Sequence, residues 1–167
     1  MLFLDTEWAD VRAFELISIA LVSRDEKWSF YAERYQLPDA PTQFARDVVY
    51  PRLDRGAAAI PDSAIGGELR TFIETVAAAT GEQPTIAYDA FEDRRLFRDA
   101  WYGLGSFGPS PPVRWFDLNE LNPHYELGLE AHFADNPDAR RRRHHALVDA
   151  FAARAGYLHA IRIRASA

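Results

Sequence analysis

The run Leu2-Phe3-Leu4-Asp5-Thr6-Glu7 sets two carboxylates two residues apart in an apolar, strand-like stretch. Strand side chains alternate faces, so Asp5 and Glu7 project the same way, with Cα atoms roughly 6.5–7 Å apart. Two like charges at the end of an apolar strand are costly unless a cation lies between them. Hard divalent ions such as Mg²⁺ or Mn²⁺ take carboxylate oxygens and meet that need. A complete metal site then requires further acids and a base. Asp89 and Asp93 follow the apolar run Ile86-Ala87-Tyr88, Asp149 falls in an Ala-rich stretch, and His144 and His145 stand just before it. Each also has a plain structural reading. Asp89 and Asp93 suit a helix N-cap and a first-turn acid, favourable with the helix dipole. Asp149 suits a helix surface, and the run Arg140 to Arg143 with its histidines suits a solvated loop.

The elements that must position these groups follow from apolar pattern and breakers. After the first strand comes a polar turn over residues 9–12. Residues 14–22 read as a second strand, 24–27 as a hairpin turn and 28–35 as an aromatic-rich third strand, which makes an antiparallel meander. Residues 44–53 read as a short helix. Residues 61–80 read as a longer one, with Ile65, Leu69, Phe72, Ile73 and Val76 at helical spacing, Pro61 at the start and Gly81 after the end. Residues 84–88 form a short strand, 91–102 a helix with Leu96 and Phe97 on one face, and 113–118 a strand. Residues 119–139 carry no clear period. Residues 145–159 form a last helix with Leu147, Val148 and Phe151 as core candidates. Three strands followed by strand–helix alternation give an α/β class with a mixed central sheet. The expectation is one domain over residues 1–167.

Composition narrows the function classes. The 167 residues are 48% hydrophobic and 26% charged, as in an ordinary globular protein. With no cysteine, thiolate metal sites and disulfides are excluded, and a reducing cytoplasm is the expected setting. No apolar run reaches the ~20 residues of a membrane span, and no basic n-region of a signal peptide is present. The net charge of −6 does not suggest nucleic acid by itself. A metal-filled acidic site with a local basic rim can still hold a phosphate backbone.

Taken in order, these motifs resemble the DnaQ-like 3′–5′ exonucleases of the DEDD superfamily, which have a ribonuclease H-like fold. Phe3 to Glu7 is similar to the first motif, Asp-x-Glu on the first strand. Ile86 to Phe97 is similar to the second, with Asp89 at a polar position usually filled by Asn and Asp93 as the metal ligand. His144 to Asp149 is similar to the third, His-x4-Asp, of the histidine-bearing DEDDh branch. The company of Glu-Leu-Ile-Ser-Ile and Ala-Tyr-Asp resembles a small bacterial exoribonuclease subfamily. The resemblance implies two divalent ions, Mg²⁺ or Mn²⁺, roughly 3.5–4 Å apart. It also implies metal-binding roles for Asp5, Glu7, Asp93 and Asp149, and general-base work for His144. Asp5 would bridge the ions. The expected reaction is stepwise hydrolysis of RNA 3′ ends, with DNA a possible substrate, releasing nucleoside monophosphates. The subfamily also implies a homodimer.

Two registers stay open in the sequence. Leu96 and Phe97 favour Asp93 over its rival Asp89. On a continuous helix His145 shares a face with Asp149, whereas His144 lies about 140° round. His144 therefore faces the metals only from a loop, for which the polar stretch Asp135 to Arg143 is suited; His145 is its rival. Thr6 through its backbone, Trp8 by stacking on a base and Arg143 on phosphate are the expected nucleic-acid contacts. Trp8 reads somewhat more as core packing than as a stacking surface; Phe14 and Tyr88 read more heavily as core. The alternatives are a DNA exonuclease, a ribonuclease H-like endonuclease and an inactive binding domain.

Overall fold

A computed structural model of the chain describes residues 1–105 and 108–166. Six strands form one sheet: β1 (Leu2–Trp8), β2 (Leu16–Ser23), β3 (Ser29–Arg34), β4 (Ala59–Ile60), β5 (Thr85–Tyr88) and β6 (Arg114–Asp117). Their spatial order is β4-β3-β2-β1-β5-β6. β2 pairs antiparallel with both β1 and β3, while β1–β5, β5–β6 and β3–β4 are parallel. β2 thus runs against the other five. The helices are α1 (Asp62–Thr80), α2 (Phe91–Tyr102), α3 (His124–Asp135), α4 (Pro137–Arg141) and α5 (Ala146–Ser166). The fold is α/β with helices on both faces of a mixed sheet. Among the described residues, no helix is long and apolar enough to cross a membrane.

The two faces of the sheet follow from strand alternation. Leu2 and Leu4 of β1, with Ile19 and Leu21 of β2, pack under α1 and α2, against Ile65, Leu69, Ile73, Leu96 and Phe97. The opposite face carries Phe3, Asp5 and Glu7 on β1. Their cross-strand partners on β2 are Val22, Ala20 and Ser18. Ala20 and Val22 pack on Ala146 and Ala150 of α5. Small side chains on both sides let the first turns of α5 lie close over the acidic end of β1.

Several expectations are corrected. The second strand starts at Leu16, because the Asp10 carboxylate accepts from the N–H groups of Arg12, Phe14 and Glu15 and holds them in a loop. Phe14 is 57% exposed beneath the Arg95 guanidinium, so it is not core. Residues 44–53 form no regular helix but a π-helical turn, Ala45–Val49, followed by a 3₁₀ turn, Tyr50–Arg52. The Arg-rich run is not wholly loop, since Arg140 and Arg141 close the short helix α4. The fully buried face of α5 is Ala146, Ala150, Ala152, Ala153, Gly156 and Ala160; of the expected core residues, Leu147 and Phe151 are partly buried against that core and Val148 is not part of it.

That small-residue face allows a close helix crossing. A Cβ on Gly156 would stand 2.8 Å from the Tyr125 carbonyl oxygen, and one on Gly128 would stand 2.4 Å from His159 Cβ. Both glycines lie in helix interiors, where alanine would gain about 1 kcal/mol by propensity. The clash with backbone outweighs it, since overpacking costs about 1–3 kcal/mol. Gly156→Ala is therefore expected to lower the melting temperature; an unchanged or raised value in thermal unfolding would contradict the crossing.

Candidate metal centre

The C-terminal ends of parallel β1 and β5 meet the N-terminal ends of α2 and α5. Open parallel α/β sheets place ligands at such ends. A cleft of about 420 Å³ opens there, lined among others by Asp5, Glu7, Asp89, Asp93, His144 and Asp149. The structure brings into one cleft every acid and the first histidine singled out above. Thr6, Trp8 and Arg143 line it too. His145 does not line it.

Each group is placed by a local device. Asp5 and Glu7 come from strand alternation. Asp93 sits in the first turn of α2, and its Oδ1 accepts from the Thr6 N–H at 3.0 Å and the Thr6 hydroxyl at 2.7 Å. Asp89 is not the helix N-cap, which is Ala90. Its Oδ2 accepts the Tyr125 hydroxyl at 2.6 Å. Both rivals face the cleft with one oxygen committed to the protein, so geometry alone keeps both. Asp149, one turn into α5, reaches back to accept the His144 N–H at 2.8 Å.

His144 precedes α5 in the left-handed conformation, at φ 71°, which is rare for a side chain other than glycine. The kink takes it off the helix and turns it into the cleft, edge-on to Phe44 with centroids 4.9 Å apart. His145, wholly buried, stacks on Tyr31 on the other side of the chain.

The electrostatics are those of a crowd without a counter-charge. Burial, then the charges of Asp149, Asp93, Glu7 and Asp89, hold the Asp5 carboxyl well above the usual range. Burial, with Asp149 and Asp93, pushes Glu7 up to about 8 despite the offsetting Arg52. Asp93 is pushed to about 8 by burial and Asp89, against its Thr6 bonds. Burial raises Asp149 to about 7, opposed by the His144 N–H, Arg143 and Arg52. Burial, Arg143 and Arg52 lower the pKa of His144, which keeps it neutral near pH 7.

The donor set fits a hard divalent ion. Asp5 Oδ2 and Asp149 Oδ1 are sealed from solvent with no hydrogen-bond partner among the described residues. Buried polar atoms are seldom left so. Glu7, His144 and Asp149 offer ligand atoms within 4.8 Å of one another. Carboxylate oxygens with one imidazole suit Mg²⁺ or Mn²⁺.

Sequence reasoning missed Arg52, whose charge reaches Glu7, Asp149 and His144. It also missed Phe44 and Tyr125. None carries a motif: Phe44 and Arg52 come from the segment read as a short helix, and Tyr125 from the stretch with no clear period. The Arg run is largely engaged. Arg141 pairs with Asp138, Arg142 with Asp54 at 2.6 Å, and Arg143 with Glu130 at 2.9 Å. Arg143 also lies over Phe133 in the cleft wall. Trp8 packs against the core, as one of its readings has it, and also lines the cleft.

No family model matches the chain, and no curated protein gives a significant match.

Acids with raised pKa hold more protons when folded than when unfolded, so metal-free stability falls as pH rises from about 4, through the range where unfolded carboxyls ionise, to about 8. One pKa unit on one group is ~1.4 kcal/mol, or roughly 2–4 °C in a chain of this size. In EDTA the melting temperature should therefore drop by several degrees between pH 5.5 and 8. Mn²⁺ should restore most of it at pH 8 and little at pH 5.5. A metal effect that is equal at both pH values would contradict the site.

Proposed function

We propose that the chain is a metal-dependent 3′–5′ exonuclease of the DnaQ-like, DEDDh type, with a ribonuclease H-like fold, acting on RNA 3′ ends. The observation that carries this is the convergence of Asp5, Glu7, Asp93, Asp149 and a kinked His144 on one cleft, with two buried carboxylate oxygens lacking partners. The sheet supports it, with its antiparallel three-strand start and helices on both faces. The RNA preference rests on the resemblance of the motifs.

Asp5, Glu7, Asp93 and Asp149 would hold the divalent ions. When bound, such ions supply the Lewis-acid charge that phosphodiester hydrolysis needs. Neutral His144 would take the proton of the attacking water, and Glu7 would orient that water. Trp8 and Phe44, on the cleft wall, offer flat surfaces for the terminal base. Thr6, its N–H donated to Asp93, has no backbone donor left for the nucleotide. Arg143 would need to leave Glu130 to meet a phosphate.

A second reading concerns His144 alone. Its ring lies among the ligand atoms of Glu7 and Asp149, so it could be a metal ligand instead of a base. Calorimetry separates the two. For a base, His144→Ala leaves Mn²⁺ affinity unchanged; for a ligand, affinity falls at least about tenfold.

The test of function is digestion of 5′-labelled single-stranded RNA and DNA with Mn²⁺, against an EDTA control. A ladder shortening from the 3′ end, with nucleoside monophosphate products, is expected. Asp5→Ala and Asp149→Ala should abolish it while the fold survives. His144→Ala should lower the rate by about 10²–10⁴, far more than His145→Ala. Internal cuts would mean an endonuclease. No cleavage together with no Mn²⁺ binding would mean a binding domain only. The two aspartates are separable in the same assay. Asp93→Asn is expected to cost more activity than Asp89→Asn, and the reverse order would reassign the ligand.

A further inference from the structure

Two adjacent histidines meet opposite environments. His144 turns into the cleft, whereas His145 is driven into the core, where its side chain is 1% exposed. Its ring stacks on Tyr31 with centroids 4.6 Å apart. Its Nε2 lies 3.3 Å from Asp54 Oδ2, a close polar contact rather than a well-aligned hydrogen bond. The other Asp54 oxygen takes the Arg142 guanidinium at 2.6 Å. Asp54 therefore grips the chain on both sides of residues 143–144.

The grip is anchored. The N–H groups of Asp54 and Arg55 donate to the Glu33 carboxylate at 2.7 and 3.1 Å. The Tyr31 hydroxyl donates to the same group at 2.6 Å. Glu33 is fully buried on β3. β3, the segment 53–55 and residues 142–145 thus share one polar network, and none of Tyr31, Glu33, Asp54, Arg142 or His145 lines the cleft.

This network is a poor choice for stability alone. Neither His145 ring nitrogen makes a geometrically sound hydrogen bond among the described residues, and a buried polar atom left so costs free energy. An aliphatic side chain would fill the same space without that cost. Meanwhile His144 holds a left-handed backbone that persists only where its surroundings impose it.

We propose that the clasp of His145, Asp54 and Arg142 is a positioning device that clamps the chain on both sides of His144 and so sets the His144 ring into the cleft. This rests on His144 acting in the cleft reaction. His145, Asp54 and Arg142 are positioning residues; they touch neither substrate nor reacting atoms. Without the clasp, residue 144 relaxes to a common backbone conformation and its ring leaves Phe44 and Asp149.

The test uses the full chain with His145→Leu, His145→Gln and Asp54→Ala. Gln carries an amide nitrogen where the imidazole Nε2 lies, so it preserves the contact. His145→Leu and Asp54→Ala should lower kcat on single-stranded RNA with Mn²⁺ by about tenfold, with KM within about twofold. His145→Leu should retain the wild-type melting temperature, and His145→Gln should recover most of the kcat. A second readout needs no activity. In spectra of ¹³C-labelled imidazole, the His144 signal should be sharp in the wild type and His145→Gln, and shifted or exchange-broadened in the other two. An unmoved His144 signal in both disruptive variants overturns the clasp, as does a kcat loss that Gln does not rescue. A wild-type chain without nuclease activity refutes the functional reading instead, and the spectra still decide the clasp.

Discussion

Mutual repulsion of buried carboxylates at the C-terminal end of β1 is the constraint on which the rest depends. Asp5, Glu7, Asp93 and Asp149 are all held well above their ordinary pKa, with burial the largest cause in each. A fold gains nothing in stability by gathering such groups. Arg52 and Arg143 offset only part of the charge. The surrounding architecture maintains the gathering. Ala20 and Ala150 make room for α5 over the acids. Thr6 and Tyr125 each fix one oxygen of a neighbouring Asp. The glycine crossing of α3 and α5 brings Tyr125 within reach.

Perturbed pKa values tend to cluster at functional sites. Here the shifts have a direction. Burial raises the pKa of the acids, while His144 is held neutral by the same burial and by Arg143 and Arg52. One environment thus raises the pKa of the acids and lowers that of the histidine, because desolvation disfavours either sign of charge. The kink at His144 ties the two together, since its N–H caps Asp149 while its ring faces the cleft.

Much of this was legible in the sequence where a period or a breaker was strong. The meander, α1 with Gly81 at its end, β5, α2 and β6 all follow from such signals. The Asp-x-Glu spacing placed Asp5 and Glu7 on one face, and the five-residue offset put His144 in the cleft only from a position off the helix, where it is found. The misses share a cause. α3 holds Gly128 in mid-helix, which reads as a breaker, yet that glycine is what allows α5 to approach. The alanine face of α5 lacks the bulk that marks a core stripe, because close packing there requires small residues. β4 is two residues long and exists only through its pairing with β3. Phe14 looks apolar enough for the core, but the Asp10 loop holds it outside. Arg52 and Tyr125 act through tertiary placement alone.

The central claim is that the acid cluster is a divalent-metal site. Its most direct test is anomalous diffraction from crystals of the chain soaked in Mn²⁺ near pH 8. Strong anomalous density is expected among the carboxylates of Asp5, Glu7 and Asp149. Mn²⁺ density only elsewhere, or none at full soak, would contradict it.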